Sequence, residues 1–360
     1  MKTELSTNVD IHRRLYSSLV KRKLLLIYLT LIILTGLLLT DIITGPAWLP
    51  VKEVFSAIFF PRTSDRQAYV IVWIMRLPTA VTALVVGASL GIAGAEMQLI
   101  LDNPMASPYT LGISSAASFG AALAIVTGKG IMPSIASSLP IYTIVVPFNA
   151  FLFALLSSLF IYFIARAKSG NVETIILTGI IMVFLFNAMV SILQYVATED
   201  ALQGIIRWSY GDLTASKWST TGIILIILLV SLPLLVFDSW KLTALRLGDG
   251  KAKSMGVNVE KLRLKVLIVI SINTAAAVCF VGTIGFVGLV APHISRWLMG
   301  EDHRFFMPFS ALLGAAILSS ASILSKLIIP GAIIPVGIIT SIIGVPFLLS
   351  IVLNRRKGRT

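Results

Sequence analysis

The chain has 360 residues, of which 57% are hydrophobic and 12% charged, with a net charge of +13. Soluble domains carry nearer ~25% charged residues, so water is excluded as the main solvent. The positive balance would suit nucleic acid, but the lysines and arginines sit at the ends of apolar runs, where they orient membrane segments instead.

Lys21, Arg22 and Lys23 precede the first apolar run, 24–40. Runs of ~20 residues match a ~30 Å hydrocarbon layer at ~1.5 Å per residue. No Ala-x-Ala cleavage site follows, so the run reads as a retained span, with 1–23 as a cytoplasmic N-terminal segment. Further spans are predicted at 77–101, 109–127, 141–165, 175–198 and 219–237. The hydrophilic stretch 238–265 is too short to bury a core of its own. After it comes an uncharged run, 266–295, which is too long for one span and is interrupted by Gly282, Gly285, Gly288 and Pro292. It is predicted to split into a helix ending near Thr283 and a shorter returning helix. Spans at 305–324 and 333–353 complete the set, and 354–360 form a tail. The expected fold is all-α: one polytopic membrane domain over 24–353, with about ten transmembrane helices.

Charge supports the split. With a cytoplasmic start and an even number of spans, the inside segments collect most of the 29 Lys and Arg and only 8 fall outside. An odd number would translocate Arg355, Arg356, Lys357 and Arg359, against the positive-inside bias.

Small residues crowd the second span from Gly87 to Gly94, a pattern that lets helix backbones approach closely. Glu96 is a carboxylate inside that span, near Gln98 and Asp102 in the last turns of the helix. It reads either as a packing or gating group or as a proton or cation site. His12, His293 and His303 have no ligand partner at metal-binding spacing, so no metal is expected. Cys279 lies within an apolar run and reads as packing. The segment Leu247-Gly248-Asp249-Gly250-Lys251-Ala252-Lys253-Ser254-Met255-Gly256 lacks the register of a phosphate-cradling loop. The energy source must therefore lie elsewhere, and a short basic segment punctuated by glycine suits docking of a soluble partner.

Several motifs in order carry a resemblance. They are Arg76-Leu77-Pro78, Asp102-Asn103-Pro104-Met105-Ala106-Ser107-Pro108 with Leu111-Gly112-Ile113-Ser114, and Gly285-Phe286-Val287-Gly288-Leu289-Val290-Ala291-Pro292-His293. Asp302-His303-Arg304, Pro335-Val336-Gly337 and Gly344-Val345-Pro346 follow. From about Ile74 the chain resembles the FecCD family, the permeases of ABC importers for iron-siderophores, haem and cobalamin.

The resemblance implies a multi-pass subunit of the bacterial cytoplasmic (inner) membrane with both termini in the cytoplasm. It would pair with a second permease, identical or paralogous, and with two ABC ATPase subunits that use the ATP. A periplasmic or lipid-anchored substrate-binding protein would deliver the ligand, and this chain would bind no cofactor and no nucleic acid. Short coupling helices match Leu247, Gly248, Asp249, Lys253, Ser254, Met255, Gly256 and Val257. Arg76 and Lys326 fall where family members grip acidic side chains of the binding protein, although Thr79 stands where a second arginine can occur. Asn171 and Val172 align with a cytoplasmic gate, and Gly179 and Asn187 would face the pathway. A ferric siderophore is the expected substrate, with haem and cobalamin as alternatives. An ion-coupled secondary transporter using Glu96 is the rival reading.

Overall fold

The computed structural model describes residues 2–62, 64–132 and 139–355, with backbone only for 2–16, 351–352 and 354–355. Residues 356–360 of the predicted tail lie outside the described residues, as does the side chain of His12. Among the described residues the chain is helical, with no strand.

Helix α1 (Lys2–Ile43) runs unbroken through the predicted N-terminal segment into the first span, because no proline or glycine interrupts it before Gly36. A short α2 (Val51–Phe59) and α3 (Arg66–Tyr69) lead through a π-helical turn into α4 (Leu77–Ile100), whose first turn takes Pro78. Pro104 and Pro108 hold residues 103–112 in turns, so α5 begins at Ile113, four residues later than the sequence suggests. Next come α6 (Val146–Ala167), α7 (Val172–Val196), an unanticipated α8 (Glu199–Ser209) and α9 (Trp218–Val236). The hydrophilic stretch folds into α10 (Ser239–Leu245) and α11 (Asp249–Ser254). Asn258 caps α12 (Val259–Val281) by accepting from the Lys261 amide, which starts this helix seven residues before the predicted span. The expected split is present, with α13 (Val287–Met299) returning after a turn at 282–286. Helices α14 (His303–Leu327) and α15 (Val336–Arg355) close the chain.

Seven of these helices, counted among the described residues, are long and apolar enough to cross a membrane. Helices α5 and α15 are shorter apolar helices, and the 13-residue α13 lies where the returning helix is expected.

Helix α4 lies at the centre, packed on α14, α13, α12 and α9. Its small residues make this possible. A Cβ on Gly94 would sit 1.8 Å from the carbonyl oxygen of Gly288 on α13, so only glycine permits this approach. By contrast, α7 leaves large apolar side chains uncovered, including Phe184 at 73% and Ile192 at 64% exposure. Such faces suit lipid or another subunit rather than water.

Polar ties sort the loops into two ends, in the alternation the even number of spans requires. At one end, buried Arg263 donates to the carbonyls of Ile100 (2.7 Å) and Gly170 (3.0 Å) and pairs with Asp249 at 2.9 Å. This gathers the end of α4, the α6–α7 turn and α11. At the other end, the Asp212 amide donates to Val281 and the Val336 amide to Gly211. These bonds gather the end of α12, the residues after α8 and the start of α15.

Candidate functional site

Three cavities follow one another from the α8 end to the α11 end. The first, about 710 Å³, is lined by α8 and the following loop and holds charged Asp200, Arg207 and Asp212 beside Trp208 and Tyr142. The second, about 450 Å³, lies beneath it between the 282–286 turn and α15. The third, about 410 Å³, lies between residues 101–111 and the Ile176, Ile180 and Val183 face of α7. Tyr210 lines both the first and second, and Tyr109 both the second and third. Charge is confined to the first, and the other two present aromatic, apolar and small polar groups.

Phe286 borders the middle cavity with φ at +67°, a sparsely populated conformation for a residue with a Cβ. The strain, of order 1–3 kcal/mol, is held where the chain leaves α12 and enters α13. The ring sits against Gly344 of α15.

Helices α10 and α11 form a small platform at the opposite end from α8. Leu247 (56% exposed) and Met255 (54%) stand out from it beside exposed Gly248, Lys253, Ser254 and Gly256. Ala252 and Val257 are buried and fix it to the bundle. Gly248 and Gly256 have φ at +96° and +82°, so α11 is bracketed by two positive-φ positions that favour glycine. Asp238 ties the platform to α12 by accepting from Lys241 and Lys265, both at 2.6 Å. Burial opposes ionisation of Asp238, but these two partners outweigh it and hold the carboxyl below its usual value.

The FecCD transport family model matches residues 30–354. This chain belongs to the FecCD transport family. It is 37% identical to MJ0087 of Methanocaldococcus jannaschii, named as an ABC transporter permease, over 95% of this chain and 98% of that one. It is 36% identical to the hemin transport permease HmuU of Yersinia pestis over 83% and 88% of the two chains. A solved structure assigned to the metal-chelate type of ABC transporter, in an inward-facing conformation, superposes with a TM-score of 0.78 at 28% identity. That match covers 91% of this chain and 99% of the other. Other relatives are named for vitamin B12, molybdate and iron chelatin. The chain is thus an ABC importer permease of the FecCD family, a multi-pass membrane subunit.

With the family fixed, the predicted site residues separate by place. Leu247, Gly248, Asp249, Lys253, Ser254, Met255 and Gly256 share the platform, with Asp249 also holding Arg263, whereas Val257 is turned inward as an anchor. Asn171 caps α7 by accepting from the Thr174 amide at 3.2 Å, and half-buried Val172 follows it beside the Arg263 tie. Asn187 is exposed one turn beyond Val183, on the face of α7 that lines the third cavity. Gly179, one turn before Val183, lies on that same face, buried beside the lining residue Leu111. A Cβ there would approach the Leu111 Cα to 2.9 Å.

Arg76 and Lys326 are not at the surface in this FecCD chain. Arg76 is 6% exposed and donates to the carbonyls of Ile42, Ile43 and Ala47. Lys326 is 8% exposed and pairs with fully buried Asp41 at 2.6 Å, and Ser322 donates to the same carboxylate at 3.0 Å. Both cations are spent on holding α1 against α4 and α14, because a charge placed below the interface needs an internal partner.

Glu96 also departs from expectation. It is fully buried, with no relief from water at the helix end, and its Oε1 lies 2.8 Å from Nε2 of equally buried His303. It lines none of the three cavities. Sequence reasoning missed Asp41, Arg263, Tyr109 and Tyr210. The available signal for Asp41 was a lone charge closing an apolar run, whereas Arg263 is one of several charges in Glu260-Lys261-Leu262-Arg263-Leu264-Lys265 and carried no such signal.

Proposed function

We propose that this permease carries a ferric siderophore inward across the bacterial cytoplasmic membrane, driven by ATP hydrolysed on a separate subunit. The observation that carries this reading is the succession of cavities joined at Tyr210 and Tyr109, with charge only at the first. An apolar, aromatic passage suits a large ligand whose metal is already chelated, and it offers no cage of carboxylates or imidazoles that would trap a bare ion. Among the described residues no group of three His, Cys, Asp or Glu could hold a metal. Relatives named for hemin, vitamin B12 and iron chelatin support a ligand of that size class.

In this reading the uncovered α7 face meets a second permease, identical or paralogous, and the passage runs between the two. Two ABC ATPases dock on the α10–α11 platforms, where Leu247 and Met255 supply apolar contact and Lys251 and Lys253 supply charge. Both termini then lie in the cytoplasm, and the α8 end faces a periplasmic or lipid-anchored binding protein. Since Arg76 and Lys326 are committed internally, attraction to acidic groups on that protein falls to exposed Arg62, Arg66 and Lys217. A rival ion-driven mechanism through Glu96 is disfavoured because that residue lines none of the three cavities and is taken up in a buried contact with His303.

The test is uptake of iron-55 bound to a hydroxamate siderophore into vesicles holding the permease pair, its ATPase and its binding protein. Uptake should require ATP, should survive an uncoupler, and should fall to background with Gly256→Val, which forces a β-branched residue into a left-handed position on the platform. Uptake of haem or cyanocobalamin in place of the siderophore would overturn the substrate assignment. Uptake by the permease alone on a proton gradient would overturn the mechanism.

A further inference from the structure

The α11 end holds a charged cluster with a buried heart that the importer reading does not use. Glu96 on α4 and His303 at the start of α14 are both fully buried, with Oε1 and Nε2 2.8 Å apart. One turn further along α14 lies Phe306, also fully buried. Two guanidinium groups lie over its ring, that of Arg246 and that of Arg296, each 5.4 Å from the centroid. Glu301 spans the same two arginines, 2.8 Å from Arg246 Nη2 and 3.7 Å from Arg296 Nε. Arg296 also donates to Gln98 Oε1 at 3.1 Å, which returns the chain of contacts to α4.

The members come from five places, with Glu301 in the turn between α13 and α14. Glu96 and Gln98 belong to central α4, Arg296 to α13, and His303 and Phe306 to α14. Arg246 is the residue that closes α10, directly before Leu247 and Gly248 of the platform. The platform is therefore connected to α4 and α14 through a compact set of charged and aromatic groups, buried at Glu96, Gln98, His303 and Phe306 and reaching solvent at Glu301. Burial lowers the Arg246 guanidinium from its usual value, against the opposing pull of Glu301, Asp102 and Glu96.

A buried polar contact contributes little net stability compared with an apolar pair of equal volume, yet it is costly to break, because removing one group leaves the other buried without a partner. Such a cluster holds one arrangement and resists continuous deformation, which is the property needed where a displacement must be passed on undiminished. The adjoining contact between Gly94 and Gly288 is backbone against backbone and offers no slack to absorb the movement.

We propose that the Glu96–His303 pair and the Phe306 ring beneath Arg246 and Arg296 transmit movement of the α10–α11 platform into α4 and α14. Glu96 and His303 are positioning residues in this role and touch no substrate. The inference rests on the reading that an ATPase docks on the platform.

The test uses the full complex of permease pair and ATPase in lipid nanodiscs, with Cys279→Ser removing the native thiol. Spin-label pairs at exposed positions report the two ends: Arg166→Cys with Lys251→Cys near the platform, and Thr127→Cys with Leu327→Cys at the far end. With the native cluster, ATP and vanadate should change both distances by at least the ~1–2 Å typical of helix shifts. Glu96→Gln and His303→Gln should each keep the platform change and ATP hydrolysis and lose the far-end change. The double variant should lose no more than either single one. Phe306→Leu, which keeps an apolar side chain but removes the aromatic face, should show the same selective loss even if the charge variants fail to fold.

A far-end change of native amplitude in folded variants would overturn the proposal. Loss of both changes would overturn it too, because it would place the cluster in docking and not in transmission. If the platform distance in the native chain ignores nucleotide, the docking reading fails instead.

Discussion

Replacing Lys326 with methionine removes an ammonium group while keeping most of the side chain's volume. In the folded chain that leaves the Asp41 carboxylate, fully buried, with only the Ser322 hydroxyl for a partner. Breaking a buried pair from one side costs roughly 3–5 kcal/mol, whereas replacing both partners with apolar groups is often close to neutral. At ~2 °C per kcal/mol, the figure for a long chain, Lys326→Met should lower the melting temperature by roughly 6–10 °C. The assay is thermal unfolding of the purified permease in detergent, followed by intrinsic fluorescence. Asp41→Leu combined with Lys326→Met should recover most of that loss. The contrast matters for function, because a lysine that grips an external protein would leave the melting temperature of the isolated permease unchanged. A single variant as stable as the native chain would refute the internal latch, and so would a double variant as unstable as the single one.

Gly94→Val drives side-chain atoms into the Gly288 carbonyl and should cost at least the ~1–3 kcal/mol of overpacking, read as a lower melting temperature and poor recovery of folded permease. Arg263→Leu strips two buried carbonyls of a donor at ~1–3 kcal/mol each and frees Asp249, so protease cleavage near Lys251 and Lys253 should accelerate. Arg263→Lys should restore little, since an ammonium cannot reproduce a planar fork that serves three loops at once. Asp238 is held below its unfolded value near ~3.9, so its contribution is present above that pH and is lost as pH falls through the lower folded value. The stability gap between the native chain and Asp238→Asn should therefore be constant from pH 7 to about 5 and close below ~4.

The bundle was legible in the sequence because membrane spans are written in long apolar runs, and the charge bias resolved the one ambiguous run into α12 and α13. Boundaries slipped where local chemistry outweighed hydropathy. Pro104 and Pro108 hold off α5, while Asn258 starts α12 inside a stretch that looked like loop. Helix α8 was hidden because its apolar residues are interleaved with Glu199, Asp200 and Arg207, a helical period too short to register as a span. The platform was legible through its glycines. The buried pairs were not, since Asp41 and Lys326 lie 285 positions apart and nothing local marks them as partners. A charge near a span end looks the same in sequence whether it faces the water or the protein, and only the packing of α1 on α14 decides it.

Both buried acid–base pairs anchor the same helix. His303 opens α14 against Glu96, and Lys326 ends it against Asp41, 23 positions later. At ~1.5 Å per residue that separates the ties by ~35 Å, close to the full thickness of the hydrocarbon layer. Between them α14 lies along α4 over its length, joined by small residues at Gly87, Gly91 and Gly314 that leave the two backbones in contact. A helix pinned at both ends and seated closely along its length has little freedom to bend, so a push on one end emerges at the other as rigid-body tilt or translation. In a membrane, where apolar packing alone cannot distinguish helix from lipid, fixed polar ties are what give such a strut a defined position at each end. The same device explains why Lys326, expected on the outer surface, is found inside: it completes the strut on which movement from the platform would be carried across the bilayer.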